Sequence, residues 1–125
     1  MEKTLTIDGK KVPFKCTGGF LIRYKELTGS DPIKDIYDIG IAMNGAEDSG
    51  KVDLDKFNVN VMYNLVWVLA RTADSSVPDL LTWLDSFEDF PIFTVFKDLQ
   101  QMIVNAFATT KTIEASKKKT PSIKK

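Results

Sequence analysis

Histidine is absent from this chain, and cysteine occurs once. Without imidazole, neither a Ser-His-Asp nor a Cys-His nucleophile can be assembled, and most zinc sites lose a principal ligand. The single thiol, Cys16, cannot form an internal disulfide, which fits a reducing compartment. Its place in an alternating segment is that of a strand hydrophobe rather than a reactive nucleophile. Net charge is also missing: 17 basic residues balance 17 acidic ones, so no whole-molecule field selects nucleic acid or membrane. Apolar runs such as Leu65-Val66-Trp67-Val68-Leu69-Ala70 are far too short to span a bilayer. The opening Met1-Glu2-Lys3-Thr4 lacks the apolar stretch of a secretory signal, so a soluble cytosolic chain is expected.

What is present describes a globular chain. Apolar residues make up 43% of 125, with eight Phe and two Trp, enough for one domain over residues 1–112. A chain of this length buries roughly two-thirds of its unfolded surface. The charges are unevenly placed. Residues 111–125 hold six Lys against Glu114 alone, leaving eleven bases against sixteen acids in residues 1–110. Residues 113–125 are Lys-, Ser-, Thr- and Pro-containing and are expected to be a disordered basic tail.

The pattern predicts an α+β fold, mostly α: an N-terminal β-hairpin followed by a bundle of about five helices. Residues 5–16 alternate apolar and polar on both sides of Asp8-Gly9, a pair suited to the positive φ angles of a tight hairpin turn. Leu5 and Ile7 face the same way as Val12, Phe14 and Cys16, and Pro13 belongs at an edge because it cannot donate to a ladder. Thr17 is expected to cap a helix from about Gly18 to Thr28, stopped by Gly29, with Phe20, Tyr24 and Leu27 on one stripe. Asp31 and Pro32 open a second helix through Ile33, Ile36 and Tyr37. Asn44 to Lys51 reads as a polar loop, and Asp53 as the cap of a long helix from about Leu54 to Ala73. That helix is apolar almost all round except for a strip of Asn60, Asn64 and Arg71 with Trp67 beside it, so it belongs in the middle. A short helix follows Asp79. After Asp89-Phe90-Pro91, read as a second cap-then-proline device, a last helix spans about Ile92 to Thr110. Its core stripe is Ile92, Val95, Phe96, Leu99, Ile103 and Ala106.

No catalytic, cofactor or metal site emerges. Glu47, Asp48, Asp53 and Asp55 are close in sequence, but their spacing is not that of an EF-hand loop, and a solvated loop with a helix cap explains them. Asp85, Glu88 and Asp89 read as surface and cap residues rather than a paired acid and base. Thr17-Gly18-Gly19 lacks the Gly-Lys-Ser/Thr of a phosphate loop and reads as a helix start. Two strips admit two readings each, packing on neighbouring helices or docking a partner: Phe93, Gln100 and Val104 on the last helix, and the strip with Trp67. Phe93, Val104 and Trp67 are the candidate partner-binding residues. Lys117, Lys118 and Lys119, with Lys124 and Lys125, form either a solubilising end or a weak, salt-sensitive phosphate contact.

Two blocks of residues have a family likeness. Leu5-Thr6-Ile7-Asp8-Gly9-Lys10, Val12-Pro13-Phe14 and Arg23-Tyr24-Lys25-Glu26-Leu27-Thr28-Gly29-Ser30-Asp31-Pro32 resemble the N-terminal part of the tail assembly chaperones of long-tailed, siphovirus-type bacteriophages and prophages of Gram-positive bacteria. Pro78-Asp79-Leu80-Leu81-Thr82-Trp83-Leu84-Asp85-Ser86-Phe87 is similar to that family's proline-then-Trp-Leu segment. The likeness follows element order over about residues 4–110 and rests on apolar positions and turns rather than on reactive side chains.

The resemblance implies a non-catalytic protein of the bacterial host cytoplasm, without cofactor, that binds and solubilises the tape-measure protein and helps recruit tail-tube subunits. It implies absence from the mature virion and room for self-association. The family commonly makes a longer product by programmed frameshifting, through which tail-tube contact would run. Lys codons are A-rich, so Lys117, Lys118 and Lys119 mark where a slippery heptamer would lie; the nucleotide sequence decides that point. The rival reading is a small cytosolic nucleic-acid-binding regulator using the basic tail, with salt-sensitive binding lost on removal of residues 111–125. Against it, the body is acidic and no helix clusters Arg or Lys for recognition. A small enzyme would need a pocket built from Asp, Glu, Lys and Tyr alone, and nothing in the sequence supports one.

Overall fold

The computed structural model describes residues 1–49 and 58–106, with the side chains of 41–49 left aside. Strands β1 (Glu2–Ile7) and β2 (Lys10–Lys15) pair antiparallel. Asp8 and Gly9 join them with φ of 53° and 74°, the positive pair a two-residue hairpin turn requires. Leu5 sits opposite Val12, and Lys3 opposite Phe14. One face of the hairpin is thereby apolar: Ile7, Val12 and Phe14 are buried, while Leu5 and Cys16 pack against the core. The other face (Glu2, Thr4 and Thr6 on β1, Lys11 and Pro13 on β2) is exposed.

Five helices follow among the described residues. Helix α1 (Phe20–Thr28) starts two residues later than the sequence predicts. The glycines after Thr17 form a turn in which Thr17 Oγ1 accepts from Gly19 N–H, and Gly19 occupies the cap position. Gly29 stops the helix in the left-handed region, φ 75°, donating to Lys25 C=O at 2.7 Å. Asp31 Oδ1 accepts from Ile33 N–H at 3.0 Å and caps α2 (Pro32–Ser49). This helix runs through Asn44-Gly45-Ala46-Glu47-Asp48-Ser49, which corrects the predicted loop. Asn and Gly cost at most about 1 kcal/mol each against Ala, too little to stop an established helix.

Helix α3 (Val59–Ala73) is capped by Asn58, whose side chain accepts from Val61 N–H. The long helix therefore begins at Val59, not Leu54. The proposed Asp53 cap, the acidic group of Asp53 and Asp55, the end of the last helix at Thr110 and the tail with Lys117–Lys119 lie outside the described residues. Eight of the residues in α3 are buried, among them Leu65, Val66, Val68, Leu69 and Ala70 at 0% exposure, so α3 is the central helix, as its composition predicts. Helix α4 (Leu80–Asp85) is capped by Asp79, which accepts from Thr82 N–H and Oγ1 and whose carboxyl is held below its usual range by those bonds. Helix α5 is described over 92–106. Its start is set by Pro91, whose C=O accepts from Val95 N–H at 2.9 Å, and Ile92 is its first helical residue; among the described residues no side-chain capping bond to Asp89 is seen, which corrects the second cap-then-proline reading. Ile92, Val95, Phe96, Leu99, Met102 and Ile103 are its buried face.

The hairpin lies with its apolar face on α3 and is tied down at both ends. At the tip, Lys10 Nζ donates to Ser86 C=O at 2.7 Å and stands 5.1 Å over the Phe87 ring, while Asp8 Oδ2 accepts from Glu88 N–H. At the open end, Lys3 Nζ donates to Asp98 C=O of α5. A lone two-stranded hairpin is marginal in water, and these contacts supply what it lacks.

Candidate functional site

The sequence-predicted site residues separate into a buried group and an exposed group. Trp67 is 8% exposed, and its indole N–H donates to Pro78 C=O at 2.8 Å. Arg71, one turn on, donates to Val77 C=O. The polar strip of α3 is thus a clasp on the 74–78 loop, and Trp67 is corrected from docking candidate to core residue. These two bonds fix the loop carbonyls of Val77 and Pro78 against α3. Asn64, also on this strip, is half-buried and acts on the Tyr24 hydroxyl from across the α1–α3 contact.

Phe93 and Val104 lie on the outer side of α5, 46% and 42% exposed. Eleven residues make just over three whole turns, so the two share one stripe about 16 Å long, with half-buried Gln100 between them. A comparable pair went unnoticed in the sequence. On α2, Ile36 and Ile39 are buried, whereas Ile33 and Tyr37, one turn apart, are 41% and 59% exposed. Both helices thus carry apolar side chains off their core stripe as well as on it. The signal was there in the spacing of Ile33 and Tyr37, but spacing alone does not say which apolar face turns inward.

The most polar buried cluster was also missed. Asp35 is 7% exposed, the one charged residue buried among the described residues. Its Oδ2 accepts from Tyr24 Oη at 2.7 Å and from Ser30 Oγ at 2.6 Å. Burial, the bond to Asp35 and the Asp35 charge together push the Tyr24 hydroxyl far above its ordinary value. A fully buried hydroxyl that holds its proton this tightly is the opposite of an activated nucleophile. The cluster pins α1 to α2. Cys16 is half-buried, and burial raises its thiol, which disfavours the reactive thiolate.

Two further arrangements complete the surface. A shallow groove of about 270 Å³ runs along the outer edge of β2, between Lys11, Pro13 and the Asp74–Pro78 loop, with Trp83 at its base. No group of three or more Cys, Asp or Glu side chains among the described residues could hold a metal ion. No helix of the described residues is long and apolar enough to cross a membrane. The Pro78–Phe87 segment has a packing role: Trp83, Phe87 and Phe90 form an edge-to-face trio with centroids 5.2–5.6 Å apart, joined by Tyr63 of α3. Comparison with protein-family models, curated proteins and solved structures finds no match to this chain.

Proposed function

We propose that this chain is a tail assembly chaperone of a long-tailed phage or prophage, a non-catalytic protein of the host cytoplasm that holds the tape-measure protein soluble while tail-tube subunits assemble. The reading starts from the residues of the hairpin, the Thr28–Pro32 turn and the Pro78–Phe87 segment. The observation that carries it furthest is a set of exposed apolar side chains off the core stripes, Ile33 and Tyr37 on α2 and Val104 on α5. A tape-measure protein is a long helix with an apolar stripe, and a helix with exposed apolar side chains offers such a stripe a helix-to-helix seat.

Replacing Tyr37, Phe93 and Val104 singly with Ala tests this. Because Tyr37 and Val104 are 59% and 42% exposed, the expected loss of stability at these two is below about 1 kcal/mol. Capture of the co-expressed tape-measure protein should fall severalfold in at least the Phe93→Ala and Val104→Ala variants. Large losses of melting temperature with unchanged capture would assign these side chains to packing.

A further inference from the structure

We propose that β1 pairs with β1 of a second copy, forming a two-fold antiparallel sheet centred on Thr4. This inference is independent of the chaperone reading. Met1 and Cys16 exchange both backbone bonds, at 2.8 and 3.0 Å, which fixes the ladder's alternation. Lys3–Phe14 and Leu5–Val12 are therefore hydrogen-bonded couples, and Thr4–Pro13, flanked by Glu2–Lys15 and Thr6–Lys11, are not. The backbone groups of Glu2, Thr4 and Thr6 on one strand, and of Lys11, Pro13 and Lys15 on the other, point away from the hairpin.

The two outward edges differ. On β2 the middle outward residue is Pro13, which has no N–H, and the 74–78 loop flanks that edge. On β1 the middle outward residue is Thr4, with an N–H and no proline on either side, and Glu2, Thr4 and Thr6 are all exposed. Among the described residues nothing bonds to the outward groups of Thr4 or Thr6.

The charges fit a second copy as the occupant and select the register. With Thr4 opposite its own copy, Glu2 faces Thr6 of the partner and Lys3 faces Leu5, so no like charges meet across the new edge. The exposed face then reads Pro13, Thr4, Thr4 and Pro13 across the four strands, a Thr–Thr pair at its centre. Three couples exchange about six backbone bonds, the full length of the edge. Sliding the strands to centre on Lys3 or Glu2 opposes like charges at the axis and shortens the ladder.

Sedimentation of the full-length protein over a concentration series tests the proposal. The wild type is expected to show a monomer–dimer equilibrium. Thr4→Pro removes a donor that β2 does not use and should raise the dimer Kd by about tenfold or more. Thr4→Lys and Thr4→Glu should each be monomeric, and their mixture should dimerise again, which identifies residue 4 as the axis even if the proline variant does not fold. A wild type that is monomeric throughout overturns the proposal. So does a dimer that both charged variants leave intact.

Discussion

Replacing Asp35 with Ala is expected to destabilise the protein by about 3 kcal/mol, lowering the melting temperature by roughly 10 °C. Two buried or part-buried hydroxyls, those of Tyr24 and Ser30, donate to the one oxygen that the substitution removes. Each orphaned donor costs its desolvation, and the helix pair α1–α2 loses its polar tie. Tyr24→Phe should cost less, about 2 kcal/mol, because Asp35 keeps Ser30 as a donor. The double variant should cost less than the two single changes added together, since both remove the same bond.

The same cluster sets an alkaline limit. Tyr24 keeps its proton in the fold, while an unfolded tyrosine loses it near pH ~10. Its contribution is therefore complete below that pH and declines as pH rises beyond it, because the unfolded chain alone releases the proton. Urea unfolding between pH 8 and 11 should show wild-type stability falling more steeply than that of Tyr24→Phe. Parallel curves would mean that the hydroxyl titrates normally and the cluster is not closed to solvent.

Trp83→Ala is expected to cost about 4 kcal/mol, enough to leave the chain partly unfolded at 37 °C if its total stability is at the low end of the usual range. Trp83 is 6% exposed and packs edge-on against both Phe87 and Phe90, at 5.6 and 5.3 Å. Phe87 also carries the Lys10 ammonium of the hairpin tip, so the loss should spread to the hairpin. Trp83→Phe preserves an aromatic ring and should cost no more than about 2 kcal/mol. Thermal unfolding of both variants checks the order, and equal effects would remove the trio from the account.

Local chemistry made some elements legible and left others hidden. The hairpin, its Asp8-Gly9 turn, the Gly29 stop and the Asp31-Pro32 start all depend on conformations that few residue types can adopt, so a single chain suffices to read them. The start of α3 was not legible because Asp53 and Asn58 are equally good caps. The continuation of α2 past Asn44 was hidden because weak loop preferences lose to helix propagation. Asp35 looked like any helical acid; its partners Tyr24 and Ser30 arrive only once the Gly29 turn folds α1 onto α2. Trp67 stands as an apolar ring at the border of a polar strip, and only the loop carbonyl of Pro78 decides that it faces inward.

The function proposed for this chain is that of a helical body shielding a long helical partner. Co-expression with the long helical protein encoded downstream in the same gene cluster tests it most directly, scoring how much of that partner stays soluble and co-purifies, with and without residues 111–125. Solubilisation that survives removal of those residues is the predicted result, because the proposed faces lie on α2 and α5. An insoluble partner, together with a purified protein that shifts nucleic acid at low salt only while residues 111–125 are present, would instead assign the chain to nucleic-acid binding.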